Sequence, residues 1–215
     1  MVGNIELDET CEQNQTTYNI ETGELYVFGD INADMARDVL FGALRMADMG
    51  MPTVNVYISS LGGSASQAIT IIECLRLLKC KGIKLVTYAL GGAASGAAEI
   101  FLCGDTRLIG KYCYFMLHNP QLTADMVETH ALLVEATMWQ DRTKDFLVDV
   151  LKPTKIDYSY YLDKTKGKDW VVSPTEAVKL GLADRIVNHK KEVKTNGRRK
   201  RQNQKPASGR RTTGD

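Results

Sequence analysis

The sequence predicts an α/β domain on a largely parallel sheet. Apolar, β-rich runs at 24–28, 53–58 and 83–88 alternate with stretches of helical period, and short turns join them. No internal repeat accompanies that alternation, so successive βαβ units under right-handed crossovers account for it. Composition agrees: 215 residues, 44% hydrophobic and 25% charged, suit one globular domain plus tails.

Residues 1–20 read as a flexible N-terminal arm and 21–188 as the domain. Glu24–Phe28 is the first strand, ending at Gly29-Asp30. Asn32 or Asp34 caps a helix running to about Met49, with Met35, Val39, Leu40, Ala43, Leu44 and Met46 on one side. Pro52 ends that connection, and Thr53–Ile58 is the second strand. Ser59–Ser64 then reads as a tight turn into a helix with Ala65, Ala68, Ile69, Ile72 and Leu75 as its apolar stripe. Lys81-Gly82 breaks this helix, and a strand follows at 83–88. A helix carrying Ser95 comes next, then short strands near 106–109 and 113–117, and a long helix from about Ala124 to Leu151. Pro153 and Gly167 punctuate the segment after that helix. Ser173-Pro174-Thr175-Glu176 is a capping box with proline at the first helical position. The short helix it opens stops at Gly181, and 183–187 is the last strand.

Charge and cysteine usage narrow the class. The net charge of +1 hides a tail, residues 189–215, with ten Lys or Arg against Glu192 and Asp215. Such a segment cannot bury apolar surface and reads as a disordered, solvated appendage rather than a nucleic-acid-binding element. The five cysteines are odd in number, match no zinc spacing and read as reduced core residues of a cytoplasmic protein. The polar, acidic first fifteen residues predict no signal peptide, and no apolar run approaches the ~20 residues of a membrane helix. Neither a metal nor a cofactor is expected.

Two segments resist explanation as packing. Leu90–Ala98 sets Ser95 among glycines and alanines where a strand gives way to a helix, and Phe115–Pro120 sets His118 at the end of an apolar strand. A helix cap would not need so many small neighbours, whereas a nucleophile needs an imidazole and open backbone around it. His130 lies mid-helix and His189 in the tail, so His118 is the histidine beside the expected sheet end. Gly62-Gly63 tolerate unusual backbone angles, and their N–H groups suit a developing oxyanion. Spacing alone leaves Asp105, Asp125, Asp141, Asp145, Asp163 and Asp169 all open as partners for His118.

Four collinear motifs then carry a resemblance. Val56–Ser64 resembles the "YINSPGGS" turn of the Clp protease proteolytic subunit family, and Leu90–Ser95 its "GQAAS" nucleophile segment. Met116–Pro120 is similar to "MIHQP", and Asp169–Ala177 with Gly181–Asp184 to "DRFMSAEEA…GLVD". The match spans roughly residues 24 to 187. It implies a crotonase-like fold of repeated ββα or βαβ units with a long protruding handle helix. It implies a serine endopeptidase with Ser95 as nucleophile, His118 as base and Asp169 as its orienting acid. The backbone N–H groups of Gly63 and Gly96 become the oxyanion hole, with Leu61, Gly62 and Gly63 contacting substrate. Peptides or unfolded proteins become the substrates. The subunits are expected to form a ring, a heptamer or a double ring, fed by an AAA+ ATPase unfoldase.

This sequence departs from the family pattern in places. Leu61 replaces a proline and Gly96 a methionine. The segment after His118 is shorter and lacks the Gly-rich stretch that helps two rings meet. No "YSRLL"-type helix precedes the first strand, where the family shapes its pore and ATPase contact. Those departures open two further readings: an ATP-independent viral or phage processing protease, and a non-catalytic scaffold subunit of a mixed ring. Acyl-CoA chemistry on the same fold has no need for a serine between alanines.

Overall fold

The computed structural model describes residues 17–119, 137, 141 and 143–187. β1 (Tyr18–Asn19), β2 (Glu24–Ile31), β3 (Thr53–Gly63) and β4 (Lys84–Ala94) make one half of the sheet. β5 (Thr106–Ile109), β6 (Tyr114–Leu117), β7 (Trp170–Val172) and β8 (Arg185–Ile186) complete it. The path is β1-β2-β3-β4-β5-β8, parallel throughout except for the short β1. β4 is a fork. Its residues Val86–Ala89 pair with β5, and Gly92–Ala94 pair with β6, which in turn holds β7 antiparallel.

The helices are held by apolar faces, and some of them open at a side-chain cap. α1 (Ala33–Asp48) starts at Asn32, whose side chain accepts from the Met35 N–H at 3.0 Å. It buries Met35, Ala36, Val39, Ala43 and Met46, while Leu44, expected on that stripe, is exposed. α2 (Ala65–Cys80) buries Ala68, Ile71, Ile72, Leu75 and Leu78 against α1 and the sheet, leaving Ala65 in solvent. α3 (Gly96–Leu102) is buried almost along its length. Helical residues 143–151 form α4, followed by α5 (Tyr158–Thr165) and α6 (Pro174–Lys179). Ser173 caps the last of these helices, its hydroxyl accepting from Glu176 N–H at 3.2 Å.

Leu25, Val27, Val54, Val56, Ile58 and Leu85 alternate inward along the three long strands and meet Ile71, Ile72, Leu75 and Phe101. Each such side chain, fully buried, contributes ~1.5–3 kcal/mol of hydrophobic stabilisation. Tyr26, Tyr57 and Tyr88 occupy the opposite pleat in a ladder, with ring centroids 5.9 and 4.7 Å apart. Arg107 fastens the far edge, its guanidinium donating to Asp184 Oδ1 at 2.9 Å and its main-chain N–H to Oδ2 at 2.6 Å.

Several sequence expectations change. Ser59–Gly63, expected as a turn, and Leu90–Ala94, expected between strand and helix, are continuations of β3 and β4, because sheet pairing with Asp30-Ile31 and with β6 keeps them extended. The segment between Pro153 and Gly167 contains α5, and the residues after Asp169 form β7. Tyr18-Asn19, assigned to the arm, pair with β2, and the last strand shortens to two residues. Cys74 and Cys113 are buried thiols, but Cys80 is exposed. The remainder of the arm, Cys11, Asp125, His130, the start of the long helix and the basic tail lie outside the described residues.

Candidate active site

The ends of β3 and β4 meet at Ser95. The residue joins β4 to α3 with φ 55° and ψ −132°, and among the described residues it is the only non-glycine with positive φ. Such a conformation costs ~1–3 kcal/mol and persists only where the surroundings over-determine it. Here they do. The Ser95 N–H donates to the Met116 carbonyl at 2.9 Å, and its carbonyl accepts from Ala98 and Glu99 N–H at 2.9 and 3.2 Å. The result is an elbow that lifts the hydroxyl off the end of the sheet, although the sequence lacks the G-x-S-x-G pattern.

The β4–β6 ladder delivers the imidazole. Ala94 pairs with Met116, so His118 emerges one residue past β6 beside Ser95. His118 Nε2 stands 2.7 Å from Ser95 Oγ. For Nε2 to accept the serine proton, Nδ1 must carry the ring hydrogen. Nδ1 faces Asp169 Oδ1 at 3.7 Å. The β6–β7 register, with Leu117 opposite Trp170, dictates that meeting, since one step further puts 118 opposite 169. Asp105 is engaged elsewhere, paired with Lys79 at 2.8 Å and accepting from Leu85 N–H at 2.9 Å. Exposure separates the two partners: the side chain of His118 is 19% exposed and that of Asp169 58%.

The glycine pair is built for close approach. A Cβ at Gly62 (φ +107°) would sit 2.8 Å from Ser95 Cβ and 3.3 Å from its Oγ, and one at Gly63 (φ +151°) 2.5 Å from the Ile31 carbonyl oxygen. The two amides differ. Gly62 N–H already donates to Ser60 Oγ at 3.1 Å. Ser64 N–H donates to Ile31 at 2.9 Å, and alternate residues in a ladder send their amides to opposite sides. That leaves the Gly63 amide, between those two at the end of β3, as the candidate donor beside Ser95. Gly96 opens α3, where an N–H has no intrahelical partner. A Cβ there would lie 2.7 Å from Ala68 Cβ, so α2–α3 contact explains glycine at a position filled by methionine in the resembling family. A groove of about 520 Å³ passes Leu61, Gly62, Gly63, Gly91 and Gly92.

Sequence reasoning missed the support behind His118. Tyr161 on α5 is fully buried, and its hydroxyl donates to the His118 carbonyl at 2.5 Å. Burial pushes that phenol well above its ordinary pKa, so it stays a donor. Thr165 continues the brace, its single hydroxyl proton directed to the Tyr161 carbonyl at 2.9 Å with Asn119 Oδ1 also within 3.2 Å. No local pattern marks these residues, because His118 and Asn119, which they brace, lie more than forty positions away. Glu99, one turn after Ser95, was also unmarked. Burial raises its carboxyl to about 7.

A strained serine facing an imidazole at the carboxyl ends of parallel strands has the form of a hydrolase site. Comparison with known proteins agrees with that class. The family model described as Clp protease matches residues 9–190, and the chain belongs to that family of peptidases. It is a divergent member. It is 26% identical over 173 residues to the ATP-dependent Clp protease proteolytic subunit 3 of Synechococcus sp. (strain CC9902), covering 79% of this chain and 84% of the relative. With proteolytic subunit 2 of Gluconobacter oxydans (strain 621H) it shares 26% identity over 201 residues, 86% and 87% of the two chains. Among solved structures, a ClpP1 mutant from Listeria monocytogenes superposes with a TM-score of 0.67 at 22% identity, over 78% of this chain and 92% of that one. This superposition establishes the shared fold. Among the described residues no helix is long and apolar enough to cross a membrane.

Proposed function

We propose that the chain is a serine endopeptidase, with Ser95 as nucleophile, His118 as general base and Asp169 as the residue that orients and stabilises the imidazolium. The 2.7 Å approach of Ser95 Oγ to His118 Nε2 carries the reading. Ser95 Oγ bonds to the substrate carbonyl carbon as its proton passes to His118 Nε2. The carbonyl electrons move onto oxygen, which the Gly63 and Gly96 amides receive. Collapse breaks the C–N bond, His118 returns the proton to the leaving amine, and an acyl-serine remains. Water, deprotonated by the same imidazole, repeats the addition and frees Ser95. An extended peptide along the glycine groove would be held through main-chain bonds, which supports peptides and unfolded proteins as substrates.

The curated relatives are named as ATP-dependent proteolytic subunits. On that ground the proposal includes a homo-oligomeric ring supplied by an ATPase unfoldase, acting in the cytoplasm. A purely scaffolding role would have no use for the strained backbone at Ser95. A fluorophosphonate probe tests the chemistry: it should label the wild-type assembly at Ser95 and neither Ser95→Ala nor His118→Ala. Wild-type protein that assembles yet resists the probe would remove the reading. Native mass measurement with and without an ATPase tests the assembly separately.

A further inference from the structure

We propose that Asp30 is a specificity-determining residue that selects substrates with a lysine or arginine close to the scissile bond. The inference rests on the peptidase reading of the same site. Among the described residues lining the groove, Asp30 carries the only charge; its neighbours there are glycines, two serines and Leu61. It is exposed, and no ion pair among the described residues includes it. Its charge is therefore open to whatever enters the groove.

Position makes the charge consequential. The β2–β3 register sets Asp30 beside Gly62, the residue that touches Ser95. Its Oδ1 lies 2.8 Å from where a Cβ on Gly63 would stand, so the carboxylate rests against the residue proposed to supply an oxyanion amide. A fixed negative charge near a forming negative charge raises the barrier. A cationic substrate side chain reaching Asp30 cancels that repulsion, and the benefit grows as the oxyanion forms. The preference should then appear in kcat as well as in KM, because it acts more strongly on the transition state than on the bound substrate. β2 pairs with β3 through main chain, so the strand itself does not require aspartate at 30.

The test uses the full chain in its native assembly and a peptide series in which lysine, alanine and glutamate are scanned through positions flanking one cleavage site. The readout is the kcat/KM ratio between lysine and alanine peptides. Wild-type protein should favour lysine at one position by roughly two- to fivefold, the range of a solvent-accessible ion pair. That ratio should fall to about one in Asp30→Asn and Asp30→Ser, and Asp30→Lys should favour glutamate instead. In wild-type protein the preference should shrink as salt rises from ~0.05 to ~0.5 M, a measurement that needs no variant to fold. Cleavage with an identical ratio in wild type and Asp30→Asn, or a ratio insensitive to salt, overturns the role of Asp30 and leaves the peptidase standing. No cleavage of any peptide by wild-type protein that also resists the fluorophosphonate overturns both.

Discussion

The two halves of the candidate triad are held very differently. Ser95 and His118 stand 2.7 Å apart, each anchored to the buried β4–β6 ladder, while His118 and Asp169 stand 3.7 Å apart and the acid is mostly in solvent. The first contact is fixed by three residue pairs of one ladder, a strained elbow and the Tyr161 brace. The second depends on a three-residue edge strand, β7. A proton-transfer pair must hold distance to tenths of an ångström, whereas an orienting acid acts through charge over a longer range. The core thus secures what chemistry needs to be rigid, and the solvent edge holds what can tighten on substrate binding.

The sharpest break comes from the rigid half. Ser95→Ala or His118→Ala should each lower kcat by about 10⁵–10⁶-fold and abolish fluorophosphonate labelling, with the double variant no worse than either single one. Additive losses would show that the two do not act as a unit. Asp169→Ala should cost about 10⁴-fold, roughly ten- to a hundredfold less than loss of the nucleophile. Equal losses would mean that the acid closes up fully in the working enzyme. Gly62→Ala should cost about 10²–10³-fold in kcat while the fold survives, since its Cβ would strike Ser95, and misplacement of a nucleophile by ~1 Å is that costly. Circular dichroism alongside kinetics would separate this from unfolding.

Smaller effects test the supports. Tyr161→Phe leaves the His118 carbonyl without its donor and should cost about 1–2 kcal/mol in denaturant unfolding, with a several-fold lower kcat and labelling retained. Glu99 supplies a pH test. Its carboxyl sits at about 7 in the fold against an ordinary 4.5, so between those values the folded chain binds more protons than the unfolded one. The stability is fully present below about 4.5 and is lost as pH rises through about 7. Glu99 keeps some contact with solvent, which holds the loss to the order of 2 kcal/mol. Urea midpoints between pH 5 and 8 should fall less steeply in Glu99→Gln, and unchanged steepness would assign the slope to other groups.

Much of the fold and the site is legible in the chain alone. Period-two runs and caps place β2, β3, β4, α1 and α2, and the small residues around Ser95 mark a place where something must come close. What goes unread is non-local. Ser59–Gly63 and Leu90–Ala94 carry turn residues, glycine and serine, yet are strands because neighbours hold them extended. Leu44 follows the apolar period of α1 but faces solvent. Tyr161 looks like any helical aromatic until α5 docks it under His118.

The sequence by itself determined which residue types stand at the sheet's carboxyl end: a serine among small residues, a histidine, a glycine pair and a choice of aspartates. Only the tertiary structure held Leu90–Ala94 extended along β6, set Asp169 Oδ1 3.7 Å from His118 Nδ1, and brought Asp30 to the groove. The reason is that local pattern supplies residue chemistry and a preferred backbone, which neighbouring strands can override. Distance between segments remote in the chain is fixed by strand register, and register is settled only when the whole sheet packs at once.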